Sequence, residues 1–169
     1  MQTRFLIITG MSGAGKTQVV RTLEDLKYFC IDNLPAALIP KFAELCRQTS
    51  ESNVALVVDV RGGQFFDKLL QVLDEITASG QKYELLFLDA DDATLVRRYK
   101  ETRRRHPLGD SDTLLDNLAQ ERQLLEPLLE KASYIINTSE LNATELKNRI
   151  KELFSTDNER ERMGIVVRS

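Results

Sequence analysis

Near its start the chain reads Gly10-Met11-Ser12-Gly13-Ala14-Gly15-Lys16-Thr17, a segment named here the phosphate loop for the pattern that it carries. It matches in full the pattern of a glycine, four free positions, a second glycine, lysine and then serine or threonine. Glycines let the main chain turn tightly and approach a phosphate without a Cβ atom in the way. The amides of such a loop converge on a β-phosphate at a helix N-terminus, where the helix dipole favours an anion. The stretch therefore predicts a site for the phosphates of ATP or GTP.

The neighbouring sequence supports this reading. Residues 4–9 form an apolar run typical of a strand buried on both faces, and residues 16–27 place Val19, Leu23 and other apolar side chains on one helical face. The spacing excludes a dinucleotide-binding loop, which would need a third glycine where Gln18 stands. Lys16 is expected to reach the β and γ oxygens, and Thr17 to offer its hydroxyl to Mg²⁺.

Strand-like runs alternate with helical patterns along the rest of the chain. Strands are predicted at 4–9, 28–31, 54–60, 83–89 and 134–137, and helices at 16–27, 36–47, 65–79, 91–104, 112–131 and 143–154. Pro35 is expected in the first turn of the second helix, Asp112 is expected to cap the fifth, and Gly80 is expected to close the third. This alternation predicts an α/β fold, with a parallel sheet of about five strands and helices on both faces.

The composition excludes several classes of protein. The chain has 169 residues, a net charge of −3 and two cysteines, Cys30 and Cys46, with no spacing that a metal would need. No apolar run approaches the ~20 residues that span a bilayer. We therefore expect a cytoplasmic protein without membrane association. Residues 1–155 are expected to form the nucleotide-binding domain. Residues 156–169 are expected to be a linker and the start of a second, cut-off domain, whose Ile165-Val166-Val167 run could pair with another copy.

Three aspartates follow predicted strands, at the carboxyl edge where open α/β sheets bind ligands. Asp59 is favoured as the second Mg²⁺ residue, because the third strand usually lies beside the first in such sheets. Asp89 is the alternative, although it, Asp91 and Asp92 are better explained as caps of the next helix. Asp32 either contacts a second substrate or attacking water, or caps the helix near Pro35.

Seven cationic residues lie within ten positions: Arg97, Arg98, Lys100, Arg103, Arg104, Arg105 and His106. One or two of them, with Arg103 and Arg105 favoured, are expected to neutralise charge that develops on the γ-phosphate. They could equally bind RNA phosphates. The simpler alternative is a solvated helix face paired with Glu101 and Asp91.

Five segments carry a family resemblance: the phosphate loop, Tyr28–Pro35, Val57–Arg61, Leu85–Asp91 and Glu101–Leu108. Together they resemble the RapZ/YvcJ family of bacterial nucleotide-binding proteins, and the likeness covers nearly the whole chain. The Cys-Ile-Asp-Asn-Leu-Pro and Thr-Arg-Arg-Arg-His-Pro-Leu segments are its most specific parts. The resemblance implies a core similar to P-loop kinases, with strand order 2-3-1-4-5.

The resemblance also implies ATP and GTP binding with slow hydrolysis, carried by Lys16, Thr17 and Asp59. For the enterobacterial branch it implies an RNase adaptor that binds small RNAs and senses a cell-wall amino-sugar phosphate, functions that the family places largely in a second domain. Two alternatives remain: a small-molecule kinase that uses Asp32 and the arginines to hold its acceptor, and an RNA-binding module switched by nucleotide.

Overall fold

A computed structural model describes residues 4–11, 13–32, 34–49, 53–58, 63–102 and 111–155. The strands are β1 (Phe5–Gly10), β2 (Phe29–Asp32), β3 (Val54–Val57), β4 (Glu84–Asp89) and β5 (Tyr134–Asn137). The helices are α1 (Lys16–Asp25), α2 (Ile39–Thr49), α3 (Gly63–Ala78), α4 (Asp92–Thr102), α5 (Ser111–Lys131) and α6 (Ala143–Phe154).

The five strands form one parallel sheet in the order β2-β3-β1-β4-β5, which confirms the predicted fold class and strand order. Every residue of β1 is buried, because β3 and β4 cover both edges of this central strand and helices cover both of its faces. The carboxyl end of β1, where the phosphate loop begins, is therefore held by the most buried part of the molecule.

The faces of the sheet are covered by different helices. Cys30 on β2 donates from its thiol to the carbonyl of Val20 in α1, and α1 packs against α6 on that face. Phe5 lies on the opposite face and packs against Phe42 of α2, with 6.4 Å between the ring centroids. Helices α2, α3 and α5 contact one another in that order. The sheet is thus the middle of three layers.

Most predicted elements are confirmed to within a few residues, and two terminal details are wrong. Pro35 does not start an α-helix: it precedes a 3₁₀ turn, Ala36–Leu38, and α2 begins at Ile39 with Pro40 in its first turn. Proline suits that position because the first helical N–H groups need no partner. Asp112 is not a cap, because α5 already begins at Ser111. Gly80 follows α3 with a φ of +84°, as expected of a closing glycine.

Two further expectations are only partly tested. Within the described ranges, none of the helices combines the length and the apolar character that crossing a bilayer requires. Residues 156–169, including the Ile165–Val167 run, lie outside the described residues, so the proposed second domain stays a prediction.

Candidate functional site: the phosphate loop and its supports

The phosphate loop connects the carboxyl end of β1 to the N-terminus of α1. The N–H of Met11 donates to the carbonyl of Leu88 on β4 at 3.0 Å, and the N–H of Ala14 donates to the carbonyl of Met11 at 3.1 Å. Met11 and Ala14 are fully buried. These bonds tie the loop to the sheet and close a turn within it, so the structure brings Gly10, Met11 and residues 13–17 together as predicted.

The N-terminus of α1 is open to an anion. Gly15 occupies the N-cap position with a φ of +113°, and no side chain caps the helix there. The first N–H groups of a helix have no partner within it, so they depend on a cap, water or a ligand. The first turn of α1 contains no acidic residue that would repel a phosphate. Main-chain donors and the helix dipole therefore favour a negative group in front of Gly15.

Lys16 and Thr17, the two residues of the phosphate loop with predicted side-chain roles, come directly after Gly15. The Nζ of Lys16 donates to the carbonyl of Gly10 at 3.1 Å, which places the ammonium group across the mouth of the loop. Thr17 lies in the first turn of α1, and its residue is exposed. Lys16 and Thr17 thus lie at the same end of α1, and their roles toward phosphate and Mg²⁺ stay predictions.

Two side chains from elsewhere in the chain hold the carbonyls of the phosphate loop. The Thr138 hydroxyl donates to the carbonyl of Ala14 at 2.7 Å. The Nη1 of Arg98 on α4 donates to the carbonyl of Gly13 at 3.2 Å and to the Thr138 hydroxyl at 2.9 Å, and its Nη2 donates to the carbonyl of Thr138 at 2.7 Å. Arg98 belongs to the predicted cationic cluster, but Arg103 and Arg105 were favoured over it.

Asp89, at the end of β4, is bound to groups of the protein itself. Its Oδ1 accepts from the N–H of Ala90 at 2.7 Å and from Nη1 of Arg122 at 2.8 Å. Arg122 also bonds Asp92, at 2.8 Å from Nε. Burial opposes the charged guanidinium, but the bonds to Asp89 and Asp92 outweigh it and raise the pKa of Arg122. This arrangement leaves Asp89 a poorer candidate for Mg²⁺, since its Oδ1 already has two donors.

The other predicted residues have different outcomes. Asp32 ends β2, exposed at the carboxyl edge, two strands from β1 and so roughly 10 Å from the loop. Pro35 precedes the 3₁₀ turn, which no side chain caps, so the capping role for Asp32 is not seen there. Ser12, Asp59, Arg103 and Arg105 lie outside the described residues, and their roles stay predictions.

Three other ionisable side chains, Arg97, Glu101 and Cys30, have no role in the candidate site. The Nε of Arg97 lies 4.0 Å from Glu101 on the exposed side of α4, as the solvated-face alternative expected. Burial raises the pKa of the Cys30 thiol to about 11, so it is a thiol and not a thiolate at neutral pH. Within the described residues no group of three or more His, Cys, Asp or Glu side chains could hold a metal ion.

Sequence reasoning missed Thr138 and Arg122 for different reasons. Thr138 follows β5 at the carboxyl edge, so the strand-end rule that selected Asp32 and Asp59 could have selected it too. Arg122 lies 33 residues from Asp89 in the middle of α5, and only the packing of that helix brings the two together. No local sequence pattern marks Arg122 as a partner of Asp89.

Comparison with known proteins agrees with this geometry. The solved structure of shikimate kinase from Bacteroides thetaiotaomicron superposes with a TM-score of 0.61, at 21% identity and covering 96% of this chain and 99% of that one. The YorR protein of Bacillus subtilis, solved in complex with phosphorylated GDP, has a TM-score of 0.52 at 17% identity, covering 94% and 98%. At these identities the likeness shows a shared P-loop kinase fold.

Sequence relatives are much nearer. A nucleotide-binding protein of Clostridium botulinum (strain Hall) is 50% identical over 165 residues, covering 96% of this chain. The chain spans only 56% of that relative's length. The family profile described as the RapZ-like N-terminal domain matches residues 3–158. With the strand order, the glycine loop and the fold of shikimate kinase, this match shows that the chain belongs to the RapZ-like N-terminal domain family.

Proposed function

We propose that this chain binds ATP or GTP, together with Mg²⁺, at the phosphate loop and hydrolyses it slowly. The observation that carries the proposal is the uncapped N-terminus of α1 behind a left-handed Gly15, with Lys16 at its mouth. Its relatives at about 50% identity are named nucleotide-binding proteins, which supports the binding part of the proposal.

Each residue of the site has its own role in this proposal. The amides of Gly13 and of residues 15–17 bind the β-phosphate, and the Lys16 ammonium exchanges the Gly10 carbonyl for β and γ oxygens. Thr17 supplies a hydroxyl to Mg²⁺, and Asp59 is proposed to reach the same ion through water. When bound, that ion would neutralise charge on the phosphate oxygens.

Hydrolysis is an in-line attack of water on the γ-phosphorus, which releases a nucleoside diphosphate and inorganic phosphate. Arg103 or Arg105 is proposed to offset the charge that develops on the γ oxygens. Within the part of the chain that the structure describes, no residue beside the phosphate loop stands out as a strong general base for the attacking water. Slow turnover, as expected of a regulatory domain, follows from that.

Isothermal titration calorimetry with Mg²⁺ and non-hydrolysable ATP or GTP analogues tests the binding. Lys16→Ala should weaken affinity by roughly 10- to 100-fold, because a charge-assisted hydrogen bond contributes about 1.5–3 kcal/mol. Lys41→Ala is the matched control: it removes one exposed lysine on α2 and should leave affinity unchanged. Equal affinity for wild type and Lys16→Ala would contradict the assignment of the site.

A small-molecule kinase is the second candidate, favoured by the shikimate kinase fold and by Asp32, exposed at the carboxyl edge of the sheet. A kinase should transfer labelled γ-phosphate to a member of a metabolite pool, and Asp32→Asn should abolish the transfer. Release of inorganic phosphate alone, unchanged in Asp32→Asn, would instead support the regulatory NTPase.

RNA binding and the sensing of an amino-sugar phosphate are proposed for the longer protein that the relatives represent. The cationic residues 97–106 support an RNA contact within this chain. A gel shift with a small RNA tests it: affinity should fall steeply as salt rises, because bound phosphates release counterions. An absence of any shift at low salt would locate RNA binding outside these residues.

A further inference from the structure

Thr138, beside the phosphate loop, is hydrogen-bonded through both its main chain and its side chain. It is 1% exposed. Its N–H donates to the carbonyl of Asp89 at 2.8 Å, which fixes its main chain to the end of β4. Its hydroxyl accepts from Arg98 and donates to Ala14, while its carbonyl accepts a second bond from Arg98. A residue held on both its main chain and its side chain has one available orientation.

The bond from Thr138 to Ala14 controls the direction of a loop amide. A peptide unit is planar and trans, so its C=O and its N–H point in opposite directions. When the Thr138 hydroxyl holds the carbonyl of Ala14, the N–H of Gly15 in the same peptide unit is directed the other way. Gly15 is the N-cap of α1, beside the place where a bound phosphate would sit.

Arg98 holds both Thr138 and the neighbouring peptide unit of the phosphate loop. One guanidinium nitrogen bonds both the Gly13 carbonyl and the Thr138 hydroxyl, so the preceding peptide unit of the loop is held by the same group. The hydroxyl accepts from a cation and donates to a carbonyl, and such a chain strengthens each of its bonds. Together the two side chains hold successive carbonyls of the glycine-rich loop, in addition to the main-chain bonds of Met11 and Ala14.

We propose that Thr138, supported by Arg98, is a positioning residue that directs the Gly15 amide of the phosphate loop toward the β-phosphate before nucleotide arrives. The proposal deepens the proposed nucleotide binding and rests on it. Ordering the loop in advance avoids the entropy cost of ordering it during binding, so the contribution is to affinity. The effect should be confined to ligands that carry a β-phosphate.

The test compares Thr138→Val, which keeps the shape and loses the hydroxyl, with Thr138→Ser, which keeps the hydroxyl. Calorimetry with Mg²⁺-ADP and with AMP measures both affinities. Thr138→Val should lose roughly tenfold for ADP, because the Ala14 carbonyl loses its donor, and little for AMP. Thr138→Ser should stay within about threefold of wild type. A merely structural role would leave the ratio of ADP to AMP affinity unchanged.

Arg98→Gln provides an independent variant, since it removes the guanidinium bonds without altering Thr138. It should also lower the ratio of ADP to AMP affinity, and it serves as the test should Thr138→Val not fold. A wild-type ratio in the folded variants overturns the positioning role while leaving nucleotide binding intact. No ADP binding by the wild-type chain would instead overturn the proposed function, and the positioning role with it.

Discussion

At Gly10 the main chain passes so close to β4 that a Cβ atom would lie 2.1 Å from the carbonyl oxygen of Leu88. The φ of Gly10 is +146°, a backbone conformation that side chains rarely adopt. Sterics and torsion thus both require glycine here. The close approach also lets Met11 donate to Leu88 and starts the turn of the phosphate loop.

Gly10→Ala should therefore destabilise the fold by about 3 kcal/mol or more and abolish nucleotide binding. Urea unfolding and calorimetry measure the two effects. Gly80→Ala is the matched control, since Gly80 has a φ of +84° but no neighbour within 4 Å of the added atom. It should cost only about 1 kcal/mol from the left-handed torsion and leave binding intact. Equal losses in the two variants would contradict a role for the contact with Leu88.

Some residues of the candidate site could be predicted from the sequence and others could not. The loop glycines and Lys16 were predictable because their chemistry is local: each acts within a few residues of the others. Thr138 acts on Ala14 from 124 positions away, and Arg98 on Gly13 from 85. Such partners are fixed by the order of the strands and the packing of helices, so the sequence could name candidate cations but not choose among them.

At the scale of elements, a cluster at the amino edge of the sheet joins β1, β4, β5 and α6. Nε and Nη2 of Arg4, just before β1, donate to the two carboxylate oxygens of Glu84 at 2.8 and 2.7 Å. Tyr134 donates to Glu84 at 2.7 Å, and Arg4 lies 5.0 Å from the ring of Phe154. A forked guanidinium–carboxylate pair is among the stronger polar contacts in proteins.

This cluster predicts an acid-sensitive contribution to stability. Burial opposes the charge of Glu84, but hydrogen bonds from Arg4 and Tyr134 outweigh it and lower the pKa of Glu84. A carboxyl group with a lowered pKa in the folded state stabilises above its unfolded pKa of about 4.3, and that stability is lost as pH falls through the folded value.

Glu84→Gln should therefore reduce the free energy of unfolding by about 1–2 kcal/mol at pH 7, and by less and less below about pH 4. Urea unfolding across pH 3–7 measures the difference. Glu126→Gln, at an exposed position of α5, should behave as wild type throughout. A deficit for Glu84→Gln that persists undiminished at pH 3 would contradict the ionic origin of the contribution.

Element boundaries were predictable where hydrophobic periodicity was strong and uncertain where local signals competed. The capping box of α6, in which Asn142 and Glu145 bond reciprocally, agrees with the predicted start at Ala143. Around α2, Pro35 and Pro40 both suited a helix start, and the chain uses the second. Periodicity alone could not distinguish a 3₁₀ turn from the first turn of an α-helix.

At the scale of the whole molecule, the hydrophobic core includes the last turn of α6. Phe154 is 1% exposed and Ser155 is 5% exposed, and the family match ends at residue 158. The phosphate loop and the side chains that hold it, Arg98 and Thr138, also lie before that point. Residues 1–155 therefore contain every described part of the candidate site.

A chain ended after Ser155 should melt within about 2 °C of the 169-residue chain and bind nucleotide with the same affinity. Differential scanning calorimetry and isothermal titration calorimetry on the two chains measure this. A fall in the melting temperature of more than about 5 °C would show that residues 156–169 belong to the domain rather than to a linker.

Helix α6 meets the nucleotide site at one end and the amino edge of the sheet at the other. Leu146 lies 3.2 Å from where a Cβ atom on Gly15 would be, while the Leu153 carbonyl accepts from Arg4 and the Phe154 carbonyl from Tyr28. Twelve residues make a rod about 18 Å long. Because hydrogen bonds and burial hold its far end, that rod acts as a rigid spacer that keeps the phosphate loop at a set distance from the opposite rim of the sheet.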